Sequence, residues 1–521
     1  MKLTTYRSSY SAAVNSAATL EEARLACLNR SLANLNLGRF ENALSDAMKA
    51  VQDGKPNESE KALFREAKAL YGMKSYRECM QKLVVLTKEF PDSQAVKVEL
   101  DRAQARLREQ LKGQYSFRRM YKEAQAAIPI IDCATFTGPV EVRPSPGRGR
   151  GLFTTTAVAA SDLLVCEKAF AYCYAGDDNS EGNSKTTILM DMETRNYAVG
   201  GQADLLSQVV QKLAQNPNSS KAFLDLHHGA YQAIPRGQDH HGQCLWHAQD
   251  QPCQLPSHGV GNRGKTPSTT TCGIWILASY LNHSCVGNCR RSFIGDMQII
   301  RATRDIPADT ELFFSYKQPE SLTSFDETQQ SLQNWGFQCG CALCLAKKAT
   351  SDDTLKRRKA LLAQLKYTMR PSIDPRAIDT KRALAVLEKV EATYAAPVRT
   401  NPAATDASKK AEAVKVTIKG FEALGFVITA TPPKLGNNGP KKKAGNGTSD
   451  SHPEAGAGQL VVESWGVVVD YVVPAFLTLF RVYRATSPEL ANRAREYAAT
   501  AYSMLVGEKE TIYDEIPELR L

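Results

Sequence analysis

Three closely spaced cysteines constrain the fold of this chain more than any other feature of its sequence. Cys339, Cys341 and Cys344 form a Cys-x-Cys-x-x-Cys array, and this density of thiols is typical of zinc sites. Tetrahedral zinc takes four ligands, and Cys285 is the natural fourth, since its loop must then fold against the segment 335–344. The alternative is a group of buried free thiols. The sequence therefore predicts one structural zinc bound by these four cysteines.

The remaining cysteine usage indicates a reducing compartment. The chain has 13 cysteines, an odd number, and its first residues, Met1 to Tyr10, lack the apolar core of a signal peptide. In a reducing compartment clustered cysteines bind metal more often than they form disulfides. We therefore expect a cytoplasmic or nuclear location, or both.

The longest apolar stretch, from Gly466 to Phe480, contains Asp470 and Pro474 and is too short to span a bilayer. It predicts a buried helix pair, and no membrane association is expected. The net charge of +10 permits contact with nucleic acid or acidic proteins without requiring it. The basic run 441–443 lies in a low-complexity segment, where a solvated charge patch or a weak nuclear-import signal is the simpler interpretation. Direct nucleic-acid binding is not expected.

Residues 1–125 have the pattern of helical repeats. The segments 29–40 and 65–76 place small and large apolar residues at equivalent positions, with Phe40 matched by Tyr76, which is 36 residues later. A helix–turn–helix repeat of about 34 residues is the tetratricopeptide signature. The segment from Asp101 to Glu123 predicts one charged amphipathic helix that caps the stack.

The pattern changes near residue 128, where prolines and β-branched residues replace the helical periodicity. Residues 136–345 predict a region of short strands and loops, including strands at 157–167 and 298–304. An irregular insert occupies about 176–271. Residues 346–521 predict a helical domain with a disordered loop at 434–458.

Three further motifs lie in the strand-rich region. Gly147–Phe153 is a glycine-arginine loop, whose glycines allow a ligand to approach the backbone. Tyr280–Cys285 contains the triplet Asn-His-Ser, and Glu311–Tyr316 is an apolar strand that ends in tyrosine. Each motif alone has an ordinary structural explanation: a surface loop, a capped turn, or a core strand with a buried tyrosine.

The order of these motifs with the cysteine array resembles the SET domain and its post-SET zinc site, over roughly residues 138–345. The repeats and the split SET region are most similar to the SET-and-MYND (SMYD) family and to fungal relatives that combine tetratricopeptide repeats with SET. The insert holds only Cys244 and Cys253, so we expect no MYND zinc finger. The resemblance implies an α+β fold: a β-rich SET domain with a post-SET zinc cap at 335–344, flanked by α-helical regions.

The resemblance also implies roles for individual residues. Tyr316 matches the catalytic-site tyrosine, and Tyr280 and Trp335 match the lysine channel, where relatives often have tyrosine at the position of Trp335. Lys317 departs from the acidic residue that relatives often place after Ser-Tyr. The residues that match cofactor contacts are Arg148, Gly149, Arg150, Asn282, His283, Tyr316 and Phe337.

The implied activity is methyl transfer from S-adenosyl-L-methionine (SAM) to a lysine of a histone or non-histone protein. A free lysine has a pKa near 10.4, so a narrow apolar channel must favour its neutral amine. Positioning of the two reactants is then the main source of catalysis. The alternative function is an adaptor with tetratricopeptide repeats whose SET region no longer catalyses, and the affinity for SAM distinguishes the two.

The repeats also suggest a peptide-binding groove. Asn29, Lys61 and Arg65 match positions at which peptide-binding tetratricopeptide domains place a carboxylate clamp. Lys61 and Arg65 are four residues apart and share one helix face. The resemblance implies an acidic chaperone C-terminal tail as the partner. The alternative is that these residues are ordinary solvated surface charges.

Overall fold

The structure is a computed structural model that describes most of the chain. The described residues are 2–51, 56–126, 128–174, 188–190, 197–199, 201–218, 220–226, 271–317, 322–368, 380–394, 414, 417–422, 424–431, 458–484 and 486–520. Most of the predicted insert and nearly all of the predicted disordered loop at 434–458 lie outside these ranges. Within them, no helix combines the length and the apolar character needed to cross a membrane.

The chain divides into two compact units, which are described separately. The first unit comprises residues 1–138, 165–280 and 293–299, and the second comprises residues 139–164, 281–292 and 300–521.

The first unit begins with consecutive helices, each of which packs against the next from α1 to α6. They are α1 (Lys2–Ser16), α2 (Leu20–Asn36), α3 (Phe40–Ala50), α4 (Pro56–Gly72), α5 (Tyr76–Glu89), α6 (Gln94–Lys112) and α7 (Phe117–Glu123). Helix α2 starts with a capping box, in which the Thr19 hydroxyl accepts from the Glu22 backbone N–H. The pairs α2–α3 and α4–α5 each consist of two consecutive helices that pack together. Tyr76 is the first residue of α5, and its side chain is buried. Their assignment to the tetratricopeptide family stays a prediction.

The prediction of one continuous helix over 101–123 is wrong. Helix α6 ends at Lys112, because Gly113 adopts a left-handed conformation with a φ of 62°. Its N–H still bonds to the Glu109 carbonyl, which completes the last turn of the helix. A separate short helix, α7, follows.

The described strands are short, as the sequence predicts for this region. They are β1 (Phe136–Thr137), β2 (Val140–Ser145), β3 (Gly149–Thr154), β4 (Leu163–Lys168), β5 (Ala171–Cys173), β6 (Ile188–Met190), β7 (Tyr197–Val199), β8 (Cys272–Ile274), β9 (Asn282–His283), β10 (Cys289–Ile294), β11 (Met297–Ala302), β12 (Phe313–Phe314), β13 (Val427–Thr431) and β14 (Gln459–Ser464). The four-stranded sheet has the order β1-β4-β11-β10, and the other strands form pairs.

Part of the predicted insert is regular structure in the first unit. Helix α8 (Gly201–Gln215) packs on β5 and β8, which pair in antiparallel fashion. The buried side chains of Leu205, Val209 and Phe223 form a core with these strands. Irregular structure was expected here because the surrounding sequence is rich in polar residues, whereas the apolar positions of 201–215 have helical spacing.

The second unit contains the hairpin β2–β3, the pair β9–β12 and a C-terminal helical part. The short helix α9 (Lys221–Leu224) belongs to the first unit. The helices of the second unit with defined bounds are α10 (Phe325–Leu332), α11 (Ala342–Lys348), α12 (Asp352–Thr368), α13 (Thr380–Glu391), α14 (Val472–Arg484), α15 (Pro488–Val506) and α16 (Ile512–Glu515). Helices α14 and α15 pack together over a core that includes Phe476 and Phe480.

The C-terminal part differs from the sequence prediction in two ways. Strands β13 and β14 form an antiparallel pair within the predicted helical domain. The segment Gly466 to Phe480 is not a helix pair, since one helix, α14, begins at Val472. Pro474 lies in the first turn of α14. Backbone N–H groups in a first turn have no acceptor within the helix, so proline, which lacks this group, is tolerated there. The α+β class with flanking helices is confirmed.

Candidate active site and cysteine cluster

A short parallel strand pair joins two of the sequence motifs in the second unit. In β9 and β12, Asn282 lies opposite Phe313 and His283 lies opposite Phe314. The Ser284 N–H extends the pairing with a 3.2 Å bond to the Phe314 carbonyl. A side chain at Gly287 would place a Cβ 2.5 Å from the Phe313 carbonyl oxygen, so only glycine allows this approach. Residues distant in sequence thus become one site.

The glycine-arginine loop forms the turn of the hairpin β2–β3 beside this pair. Gly147 and Gly149 have φ values of 73° and 74°, and the space beside both Cα atoms is open. The Asn282 carboxamide donates through Nδ2 to the Arg150 carbonyl at 3.0 Å. This bond ties the loop to β9, and the open glycines leave backbone accessible to a ligand.

Glu311 holds the three motifs together, a role that the sequence analysis missed. Its Oε1 accepts from the Ser145 hydroxyl at 2.8 Å and from Asn282 Nδ2 at 2.7 Å. Arg148 Nη1 lies 3.6 Å from Oε2, and the Glu311 side chain is only 11% exposed. Gly151 lies directly against this carboxylate and has no room for a side chain. A single acidic residue at the start of an otherwise apolar strand was the available signal.

Tyr316 lies in a cluster of aromatic rings. Its ring centroid is 5.2 Å from His283, 5.6 Å from Trp335 and 6.1 Å from Phe337. Its hydroxyl donates to the Leu281 carbonyl at 2.8 Å. Burial raises the pKa of Tyr316 to about 12, so the phenol stays neutral at physiological pH. The hydroxyl oxygen keeps lone pairs that can accept a further hydrogen bond.

His283 connects this aromatic cluster to the cysteines. Its Nδ1 accepts from the Tyr316 backbone N–H at 3.1 Å, and its Nε2 lies 3.3 Å from Cys285 Sγ. Burial lowers the pKa of His283 to about 4, so the ring is neutral. Because Nδ1 accepts, Nε2 carries the proton and donates to the sulfur. Both ring nitrogens are thus used within the protein, which leaves the predicted cofactor contact of His283 to its backbone.

The four predicted metal ligands form one cluster. The Sγ atoms of Cys285, Cys339, Cys341 and Cys344 all lie within 4.8 Å of one another. The Cys285–Cys339 and Cys285–Cys344 separations are 3.9 Å and 3.6 Å. A regular tetrahedron with zinc–sulfur bonds of about 2.3 Å has edges of about 3.8 Å, so the donor set fits zinc. A hydrogen bond shared with Cys285 lowers the pKa of Cys341, which favours a thiolate in the cluster.

The surface beside the cluster presents groups that suit SAM. Phe337 is 36% exposed, so part of its ring lies at the surface, where an aromatic side chain can pack on adenine. The side chain of Arg148 is 51% exposed and can pair with a carboxylate. With the open backbone at Gly147 and Gly149, these residues fit an amino acid joined to a purine nucleoside.

The other predicted site residues lie in the first unit. The Tyr280 hydroxyl donates to Asp225 Oδ2 at 3.1 Å. Asn29 and Lys61 are exposed, whereas Arg65 is half-buried and donates to the Leu28 carbonyl. Burial lowers the pKa of Arg65. The Arg65 contact joins α4 to α2 and brings the helices that carry Asn29 and Lys61 side by side.

Comparison with known proteins identifies the strand-rich region. The SET domain family matches residues 149–317. A Gibberella zeae protein described as a methyltransferase is 42% identical over 536 aligned residues, which cover 96% of this chain and 70% of that protein.

Shorter matches point to the same group of proteins. Histone-lysine N-methyltransferase SET5 of Yarrowia lipolytica is 39% identical over 17% of this chain and 20% of its own length. Mouse histone-lysine N-methyltransferase SMYD3 is 34% identical over 15% of this chain and 18% of its own length. The chain therefore belongs to the SET-domain methyltransferases and is similar to their SMYD group.

Proposed function

We propose that this chain is an active SAM-dependent protein-lysine N-methyltransferase. The observation that carries the proposal is the Tyr316 hydroxyl, held 2.8 Å from the Leu281 carbonyl within the aromatic cluster. Family membership supports a lysine methyltransferase in general, and the intact hydroxyl supports activity over the adaptor alternative. The proposed substrate is a lysine of a protein, histone or non-histone.

The proposed roles follow from the chemistry of each side chain. Bound SAM supplies an electrophilic methyl group. Arg148 would pair with the carboxylate of SAM, and Phe337 would cover the adenine. The amino acid and ribose parts would be lined by the backbone at Gly149, Arg150, Asn282 and His283. Asn282 keeps the loop in place through its bonds to the Arg150 carbonyl and Glu311.

The aromatic cluster would prepare the attacking amine. Apolar rings around a lysine exclude water and favour the neutral amine, because desolvation disfavours the charged form. The Tyr316 oxygen would accept an N–H of that amine and direct its lone pair at the methyl group. Trp335, which contacts Tyr316, is proposed to line the lysine channel. The same role for Tyr280 stays a prediction.

Replacing Asn282 with alanine should weaken SAM binding about tenfold or more, because it removes two hydrogen bonds that fix the cofactor loop. Calorimetric titration of SAM into the purified protein measures the change. The matched control is Asn218→Ala, which removes a surface carboxamide that bonds to Glu41. Equal SAM affinities for wild type and Asn282→Ala would contradict the role of Asn282. No SAM binding by the wild-type protein would instead favour the adaptor function.

We also propose that the N-terminal helices bind an acidic chaperone C-terminal tail. The Arg65–Leu28 contact holds α2 and α4 together, and Lys61 is the exposed cation of the predicted clamp. Lys61→Ala should weaken binding of a labelled acidic tail peptide about tenfold, since charge-assisted hydrogen bonds to a carboxylate are strong. The control is Lys88→Ala, which replaces an exposed lysine on α5. It should bind the peptide with wild-type affinity. Arg65→Ala should also weaken binding, because it removes a cation and the contact that joins α4 to α2. No binding by any form would leave these helices a scaffold role.

A further inference from the structure

A buried carboxylate in the first unit has no assigned role. Glu167 lies on β4, and only 6% of its surface is exposed. Its Oε1 accepts from the Leu277 N–H at 2.8 Å, and its Oε2 accepts from the Ala278 N–H at 2.9 Å. Each oxygen thus binds one of two consecutive backbone donors. The carboxylate fixes the start of the 3₁₀ turn Ala278–Tyr280.

The chain that follows this turn supplies the proposed active site. Leu281 comes directly after Tyr280, and its carbonyl accepts the Tyr316 hydroxyl. Asn282 comes next and holds the cofactor loop. The turn is also bonded on its other side, where the Ser279 hydroxyl donates to the Trp275 carbonyl at 2.7 Å. Leu281 follows Ala278 by only three residues, so a shift of Leu277 or Ala278 is transmitted along this short backbone segment to both groups.

The charges around Glu167 are arranged on three elements. Lys74, in the turn between α4 and α5, attracts the carboxylate. Lys168, the next residue on β4, is paired with Asp296 at 2.7 Å in the turn between β10 and β11. Lys212 of α8 lies within electrostatic range of Lys74 and Lys168. Glu167 has no arginine or lysine in direct contact among the described ion pairs. Its main partners are the N–H groups of Leu277 and Ala278, and the Ile276 backbone makes a smaller contribution.

The ionisation of Glu167 opposes folding. Burial raises the pKa of Glu167 to about 7, although the backbone bonds and Lys74 act in the other direction. A raised carboxyl pKa gives a stability contribution that is complete below the ordinary pKa and is lost as pH rises through about 7. At neutral pH and above, the charged group thus costs stability. The ionised carboxylate has two oxygens that both accept hydrogen bonds, one from the Leu277 N–H and one from the Ala278 N–H.

We propose that Glu167 is a positioning residue for methyl transfer, whose carboxylate holds Leu277 and Ala278 and so places the Leu281 carbonyl and Asn282. This inference rests on the proposed function. Glu167→Gln is the informative variant, since its amide nitrogen faces a backbone N–H and can replace only one of the two bonds.

The test measures kcat of wild type and Glu167→Gln on a verified protein substrate from pH 5.5 to 9. The wild-type to variant ratio should be about tenfold at pH 8.5, from one lost buried hydrogen bond. It should fall towards one below pH 6, where Glu167 is protonated. Deprotonation of the substrate lysine affects both proteins equally and cancels in the ratio. The control Glu508→Gln removes another buried carboxylate that accepts a backbone N–H, from Thr511, and should give a ratio near one throughout.

Hydrogen exchange provides a readout that does not require activity. At pH 8, amides of the segment 276–283 should exchange about tenfold faster in Glu167→Gln than in wild type, while the segment 508–515 should not change. A pH-independent activity ratio, or unchanged exchange in 276–283, would overturn the inference. Wild-type protein that neither binds SAM nor methylates at any pH would defeat the proposed function, and the exchange result would still show whether Glu167 holds the turn.

Discussion

Replacing Tyr316 with phenylalanine is expected to lower kcat about 100-fold, the usual effect of removing one oriented hydrogen-bonding group from an active site. The Tyr316 hydroxyl is fixed by the Leu281 carbonyl, so its free lone pairs have a defined direction. Because the pKa of Tyr316 is about 12, the loss should be the same at every pH from 6 to 9. Single-turnover methylation of a verified substrate measures the chemical step directly.

The same variant should bind SAM with nearly wild-type affinity, since the aromatic ring and its contacts with His283 and Phe337 remain. A matched control is Tyr483→Phe, which removes a fully buried hydroxyl that has no hydrogen-bond partner among the residues that the structure describes. That control should keep its activity and fold. Turnover of Tyr316→Phe within about threefold of wild type would refute the role assigned to the hydroxyl.

The sequence was most informative where local spacing determines the geometry. The Cys-x-Cys-x-x-Cys array fixes three thiols on one short segment, and the structure places Cys285 beside them. The change between helical and strand patterns near residue 128 predicted the strand-rich region, and the resemblance to SET proteins implied the α+β class. The positive φ of Gly113 could not be read in this way, because a glycine within a helical pattern either continues the helix or ends it.

The contacts within the site depend on strand pairing between distant residues. Glu311 meets Ser145 and Asn282 only because β12 pairs with β9 and Leu312 bonds to Leu152. His283 bridges Tyr316 and Cys285 only once the same strands are adjacent. Neither contact has a signature in sequence spacing. The sequence therefore indicated the residues expected to contact ligands better than it indicated the polar contacts that organise the site.

Loss of one cysteine ligand should have the second large effect. Purified wild-type protein is expected to contain about one zinc per chain, and Cys341→Ser about none. Zinc binding contributes on the order of 10 kcal/mol to the folding of small zinc sites, far more than a thiol contact. The segment 335–344 would then lose the bonds that hold Phe337 and Trp335 near Tyr316. We expect SAM affinity and turnover each to fall about 100-fold, measured with metal content on the same samples.

The local consequence of metal loss should be visible at His283. Its Nε2–H donates to Cys285 Sγ, and a metal-bound thiolate is a better acceptor than a free thiol. Cys289→Ser is the control, because Cys289 is a buried thiol that bonds to the Phe313 carbonyl and lies outside the cluster. That variant should keep its zinc, since a serine hydroxyl can make the same bond. Normal SAM binding and activity in zinc-free protein would show that the segment 335–344 is held by packing alone, around Leu332 and Phe325.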